Sequence, residues 1–166
     1  MNGDARYIFG TIDQKVLSMS LRVNFSITPD LTIQYWGQPF TASGDYSDFK
    51  MITDSKADEY ADRFHIYTSE QINLVEESYE IDENVDGNVD YGFYNPDFTV
   101  DEWLSNLVIR WEFLPGSTAY LVWSQTRDYY MQDGGFDWWE SMTDMFKDGK
   151  PNNTFLVKFS YRFGLR

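Results

Sequence analysis

The sequence has no cysteine, a single histidine and five prolines in 166 residues. Without cysteine there is neither a disulfide nor a thiolate metal site. A Ser-His-Asp triad would have to use His65, with Asp62 or Asp58 beside it and Ser69 as nucleophile, and nothing in their spacing supports that. A zinc site would find only carboxylates to join His65. Cations are scarce: 13 Lys and Arg stand against 27 Asp and Glu, a net charge of −14. That deficit argues against nucleic acid as a partner, because phosphate binding needs a basic surface. No stretch approaches the ~18 consecutive apolar residues of a membrane-spanning helix. The opening MNGDARYIFG has no basic segment leading into an apolar run and does not read as a signal peptide. Export would need a signal that these residues do not carry.

Aromatic residues, by contrast, make up 19% of the chain. Many of them alternate with small or polar residues. In FLVKFSYRFGLR the large apolar residues are Phe155, Val157, Phe159, Tyr161, Phe163 and Leu165, with Lys158, Ser160, Arg162 and Gly164 between them. A strand sends alternate side chains to opposite faces, so one face is aromatic and aliphatic and the other small or cationic. VLSMSLRVNFSI repeats the pattern, with Leu17, Met19, Leu21, Val23, Phe25 and Ile27 on one face. Thr28-Pro29-Asp30 is then a tight turn. Leu31, Ile33 and Tyr35 alternate in the next strand, which Gly37 and Pro39 are expected to weaken. WLSNLVIRWEF, Trp103 to Phe113, is a further strand, followed by the turn Leu114-Pro115-Gly116-Ser117 and the return strand Thr118 to Arg127. An opening strand over Arg6 to Ile12 would end at a hairpin tip, Asp13-Gln14.

Two connections are tight turns, whereas Phe40 to about Trp103 and Tyr129 to Asn153 are long and hold most of the acid. Short turns on one side and long loops on the other are the arrangement of outer-membrane barrels. A mean hydropathy of −0.50 is compatible with this, because such strands alternate lipid-facing and lumen-facing residues. The other home for the apolar faces is the core of a soluble β-sandwich. The aromatic bias and the loop asymmetry favour lipid. In that setting Arg22, Arg110, Glu112, Lys158 and Arg162 project to the lumen, since a cation on the lipid face costs about 2–4 kcal/mol at mid-bilayer. Phe64–Tyr67 would pair with a later segment as a hairpin above the membrane.

Within the acidic segments, DENVDGNVD places Asp82, Asn84 and Asp86 at alternate positions before Gly87, with Asn88 and Asp90 as further oxygen donors. This resembles the first half of a calcium loop. Phe93 stands where an EF-hand has its bidentate Glu, so the reading is a looser calcium loop or a solvated acidic turn. GGFDWWESMTDMFKD reads as a short amphipathic helix with Asp137 as cap and Trp138, Met142, Met145 and Phe146 on one face. Trp138 and Trp139 are candidates for stacking on sugar rings, and packing over a barrel rim is the favoured alternative. Paired carboxylates such as Glu76-Glu77 and Asp101-Glu102 leave a glycan-acting hydrolase open without pointing to it.

DQKVLSMSLRVNFSITPDLTIQYWGQPF, NPDFTVDEWLSNLVIRWEFLPGSTAYLVWSQTR and FLVKFSYRF together resemble the C-terminal part of a group of Gram-negative outer-membrane proteins. Those proteins carry a family-9-like carbohydrate-binding module followed by a domain of unknown function read as a β-barrel. The resemblance runs from about Arg6 to Arg166 and implies that this chain corresponds to the last part of such a barrel, a fragment of a longer protein. It carries over no sugar site. The implied partners are outer-membrane lipid, the barrel-insertion machinery, and either N-terminal strands lying upstream or oligomer partners.

The expected fold is therefore all-β: an antiparallel meander of about six membrane-type strands, an incomplete outer-membrane β-barrel with long acidic extracellular loops. Strands fall in 6–39, an extracellular insertion in 40–102, a hairpin in 103–127, a loop with the short helix in 128–153 and the last strand in 154–166. The expected function is membrane anchor or surface platform, linked to carbohydrate binding or use. A soluble sandwich binding glycan or calcium is the alternative, and an enzyme is less favoured. No cofactor is expected other than a candidate Ca2+.

Overall fold

The structure, a computed structural model, describes residues 5–164. In chain order its elements are β1 (Ile8–Ser18), β2 (Leu21–Thr28), β3 (Leu31–Ile52), a 3-10 turn (Tyr60–Arg63), β4 (Phe64–Ile66), β5 (Ile72–Val75), β6 (Ser78–Ile81), β7 (Tyr91–Tyr94), β8 (Phe98–Leu114), β9 (Ser117–Met131), α1 (Trp138–Asp148) and β10 (Asn152–Ser160). The all-β, antiparallel expectation holds. Among the described residues the strands form one seven-stranded sheet and one three-stranded sheet, and neither closes into a barrel.

In the large sheet the order is β1-β3-β8-β9-β10, and β2 and β4 also pair with β3. The Asp13-Gln14 hairpin is absent, because β1 runs through both residues. β1 and β2 form one path along β3, so the six segments read from the sequence become five strand paths. The cause of the single break is local. Leu21 lies opposite Gly37, and the Met19 amide donates to the Pro39 carbonyl. Proline has no N–H to return, so the ladder lapses at Met19-Ser20. Pro39 thus interrupts its neighbour and not its own strand, which continues to Ile52. β8 likewise starts at Phe98, ahead of Trp103. β4 corrects the Phe64–Tyr67 expectation: it pairs with the earlier residues Lys50–Ile52.

The described residues form two compact units. The first holds residues 5–15, 43–99 and 132–135. Its three-stranded sheet, β5-β6-β7, packs Tyr79 and Phe93 against Phe49, with ring centroids 4.7 and 5.1 Å away. Phe49, Tyr67 and Ile81 are its buried core.

The second unit holds residues 16–42, 100–131 and 136–164. It contains β2, β9, β10 and α1 with the adjoining parts of β3 and β8. The β2–β3 turn is closed by Thr28, whose Oγ1 accepts from the Asp30 and Leu31 amides. At the β8–β9 turn Gly116 has φ +80, and an added Cβ would lie 2.7 Å from Cδ of Arg162, so only glycine fits. β3 pairs with β8. The Glu112 amide donates to the Asp30 carbonyl, and Thr41 meets Asp101, so both intervals are eleven residues.

Candidate functional site: a two-faced sheet

The alternation sorts the second unit into two faces, with one register shift in β2 between Ser26 and Thr28. Leu21, Val23 and Phe25 lie opposite Gly37, Tyr35 and Ile33. Phe155, Val157 and Phe159 lie opposite Trp123, Leu121 and Ala119. A wholly apolar groove lined by Ile109, Trp111, Phe113, Leu121, Val157 and Phe159 joins β8, β9 and β10 on that side. These side chains meet solvent. Phe159 is 73% exposed, Phe155 68% and Phe25 61%. Every residue of β2 and of β10 is exposed.

The other face is polar. Arg22, Asn24, Gln34, Trp36 and Asn106 line one depression on it. Arg110 Nη2 donates to Glu112 Oε2 at 2.9 Å. Tyr120 stands opposite Lys158, whose ammonium lies 6.0 Å from the Tyr120 ring centroid. Arg22, Arg110, Glu112 and Lys158 therefore share this face. Arg162 lies beyond the end of β10, where its amide donates to Ser117 Oγ and its stem crosses Gly116. Leu165 and Arg166 lie outside the described residues.

The upper margin of the apolar band is marked by an indole. Trp123 stacks on Phe155, and its Nε1 donates to Asn153 Oδ1 at 2.9 Å. The ring lies among apolar side chains and its N–H is satisfied by Asn153.

α1 forms as its sequence predicts. Asp137 Oδ1 accepts from the Trp139 and Glu140 amides, satisfying two orphan donors of the first turn. Ser141, Met142 and Met145 are buried beneath the helix. Trp138 is half-buried, whereas Trp139 is 78% exposed. Adjacent helical residues point about 100° apart, so the two indoles do not form one flat platform for a sugar.

Sequence reasoning named Asp101 only as half of the carboxylate pair Asp101-Glu102 and did not single it out as a buried group. It is fully buried and accepts from Thr41 Oγ1 at 2.7 Å, while its Oδ2 has no partner. Burial pushes its carboxyl above the usual range, and Asp144 adds to the shift. The available signal was parity: Asp101 falls on the same face as Trp103, Ile109 and Trp111.

In the first unit the DENVDGNVD segment is a turn held by its own oxygens. Asp82 accepts from the Asp86 and Gly87 amides, Asn84 Oδ1 from the Asp86 amide, Asp86 Oδ1 from the Asn88 amide and side chain, and Asp90 Oδ2 from the Glu83 amide. The donation by Asn88 lowers the pKa of Asp86. A cation would compete with these donors. Among the described residues no three carboxylates or histidines are grouped so as to hold a metal. Beside the turn, Tyr91 donates to Glu83 at 2.6 Å and Arg6 pairs with the same carboxylate, and both lower its pKa. His65 Nε2 meets Gln71 Oε1 at 2.8 Å, and its ring lies edge-on to Tyr67.

In comparisons with family models, curated proteins and solved structures, the chain matches none.

Proposed function

We propose that this chain is part of an outer-membrane β-barrel protein, with the apolar face of its large sheet in lipid and its role that of a membrane anchor or surface platform. The observation that carries the reading is the exposed apolar band across β2, β3, β8, β9 and β10, with Arg22, Arg110, Glu112 and Lys158 on the opposite face and the two charges of the band's own parity, Asp101 and Arg127, gathered under or beside α1. Magnitudes favour a solvent other than water. Leu21, Val23, Phe25, Ile27, Phe155, Val157 and Phe159 are each at least 45% exposed. Full burial of such side chains is worth about 1.5–3 kcal/mol each. Leaving these in water forgoes on the order of 10 kcal/mol, as much as the whole stability of an ordinary domain. Lipid recovers that term without any further protein.

The same reading sets the orientation. The turns at Thr28–Leu31 and Leu114–Ser117 fall at one end of the sheet, the periplasmic end, and the long acidic connections leave from the other. The link to carbohydrate use rests on the sequence resemblance.

The test is fractionation of cells expressing the full reading frame, followed by detergent extraction and a gel run with and without boiling. Recovery in the outer-membrane fraction with heat-modifiable migration is the expected result. A monomer that stays soluble without detergent would overturn the proposal.

A further inference from the structure

α1 lies on the apolar side of the sheet. Its Phe146 ring packs edge-on against Trp103 at 5.3 Å. The Arg127 guanidinium lies 5.1 Å from the same ring and donates to the Phe146 carbonyl at 2.9 Å. Trp103 and Arg127 share the parity of Trp111 and Leu121, the residues of the band. The helix is therefore outside any lumen that this sheet could enclose.

Its rotation is also fixed. Ser141 and Asp144 approach Asp101, whereas Phe146 meets Trp103, two residues nearer the band. At 3.6 residues per turn, Trp139 and Phe146 fall on one flank, and Asp144 and Asp148 on the other. The apolar flank thus faces the band and the acidic flank faces away. Trp139 and Phe146 remain 78% and 44% exposed.

Resting on the reading of the band as lipid-facing, we propose that α1 is an interfacial helix, its Trp139–Phe146 flank seated at the boundary between headgroups and acyl chains. Continuity with the band selects lipid as the occupant: the flank extends the band's upper margin, where Trp123 stacks on Phe155. Helices of this kind sink an apolar side only a few ångströms into the headgroup boundary while their charged side stays wet. Tryptophan is the residue that such depths favour. α1 would then fix how deep the strands sit.

The absence of native cysteine allows a clean test. Single substitutions Trp139→Cys, Thr143→Cys, Glu140→Cys and Phe159→Cys, each carrying an environment-sensitive dye, are placed in the full chain reconstituted in phosphatidylcholine–phosphatidylglycerol vesicles. Thr143→Cys keeps Trp139 while reporting the same flank. Dyes at 139 and 143 are expected to be quenched roughly threefold more by nitroxide lipids labelled near the headgroup than by those labelled near the acyl end. The dye at 140 should respond to aqueous iodide, and that at 159 to the deep nitroxide. Iodide quenching at 139 and 143 equal to that at 140, with 159 still in lipid, would overturn the helix proposal alone. Iodide quenching at 159 as well would overturn the lipid-facing reading and this proposal with it.

Discussion

The two units use the same aromatic vocabulary in opposite ways. In the first, Phe49, Tyr79 and Phe93 turn toward one another and enclose a small core with Tyr67 and Ile81. In the second, Phe25, Phe155 and Phe159 stand away from the sheet, and the buried apolar side chains are Ala42, Met142 and Met145. The first is organised as a water-soluble protein is, with its polar turn closed by backbone amides. In the second, every side chain of β2 and β10 is exposed among the described residues, and α1 covers only one end of the apolar face. Composition alone would not separate them; what separates them is whether the rings are shielded from solvent.

The largest expected effect lies in the first unit. Phe49→Ala removes the ring that both Tyr79 and Phe93 touch, and should cost about 3–5 kcal/mol, read as a lowered denaturant midpoint for residues 43–99 by hydrogen exchange. Equal loss of protection in β9 and β10 would mean that the units do not differ in this way. Next comes Val157→Arg, on the exposed band. In a bilayer it should cost about 2–4 kcal/mol and suppress the heat-modifiable form. In water alone, replacing so exposed a side chain should change little. A variant that folds as well as its parent in vesicles would erase the contrast.

The smallest effect sharpens the contrast at α1. Asp101 is buried against Thr41 on β3 and faces Ser141 and Asp144 on the helix. Because burial raises its pKa, the stability tied to its neutral form is complete below the unfolded carboxylate value of about 3.9 and is lost as pH rises through the folded value. Hydrogen exchange over Trp138–Asp148, corrected for intrinsic rate, should therefore show α1 better protected near pH 4, about the unfolded carboxylate value, than at pH 8. Asp101→Asn should remove that dependence and stabilise the helix by about 1 kcal/mol at pH 8. A pH profile unchanged by the substitution would assign the burial no such consequence.

Much of this was legible in the sequence where one period ran long enough. β2, β10 and the middle of β8 alternate without a break, and α1 carries its own cap in Asp137. Two kinds of feature were not. Asp13-Gln14 is turn-like in composition, yet a long partner in β3 holds those residues in a strand, a tertiary effect that overrides local preference. Pro39 looked like a strand end, but its missing donor falls toward the break at Met19-Ser20, which no local reading of residues 31–39 contains. Asp101 is invisible as a type among 27 acidic residues and becomes visible only once the strand's parity is known.

The merging of β1 and β2 into one path has a consequence for closure. Five strand paths is an odd number, so the two outer edges of the sheet, β2 and β10, run in the same direction. Two copies related by a rotation about the membrane normal would bring β10 of one beside β2 of the other in parallel, a seam foreign to membrane barrels. An antiparallel ring needs an odd number of further strands between those edges, and three is the smallest that reaches the eight-strand minimum. The arithmetic is set by β3, which holds residues 8–28 on one path across the break opposite Pro39.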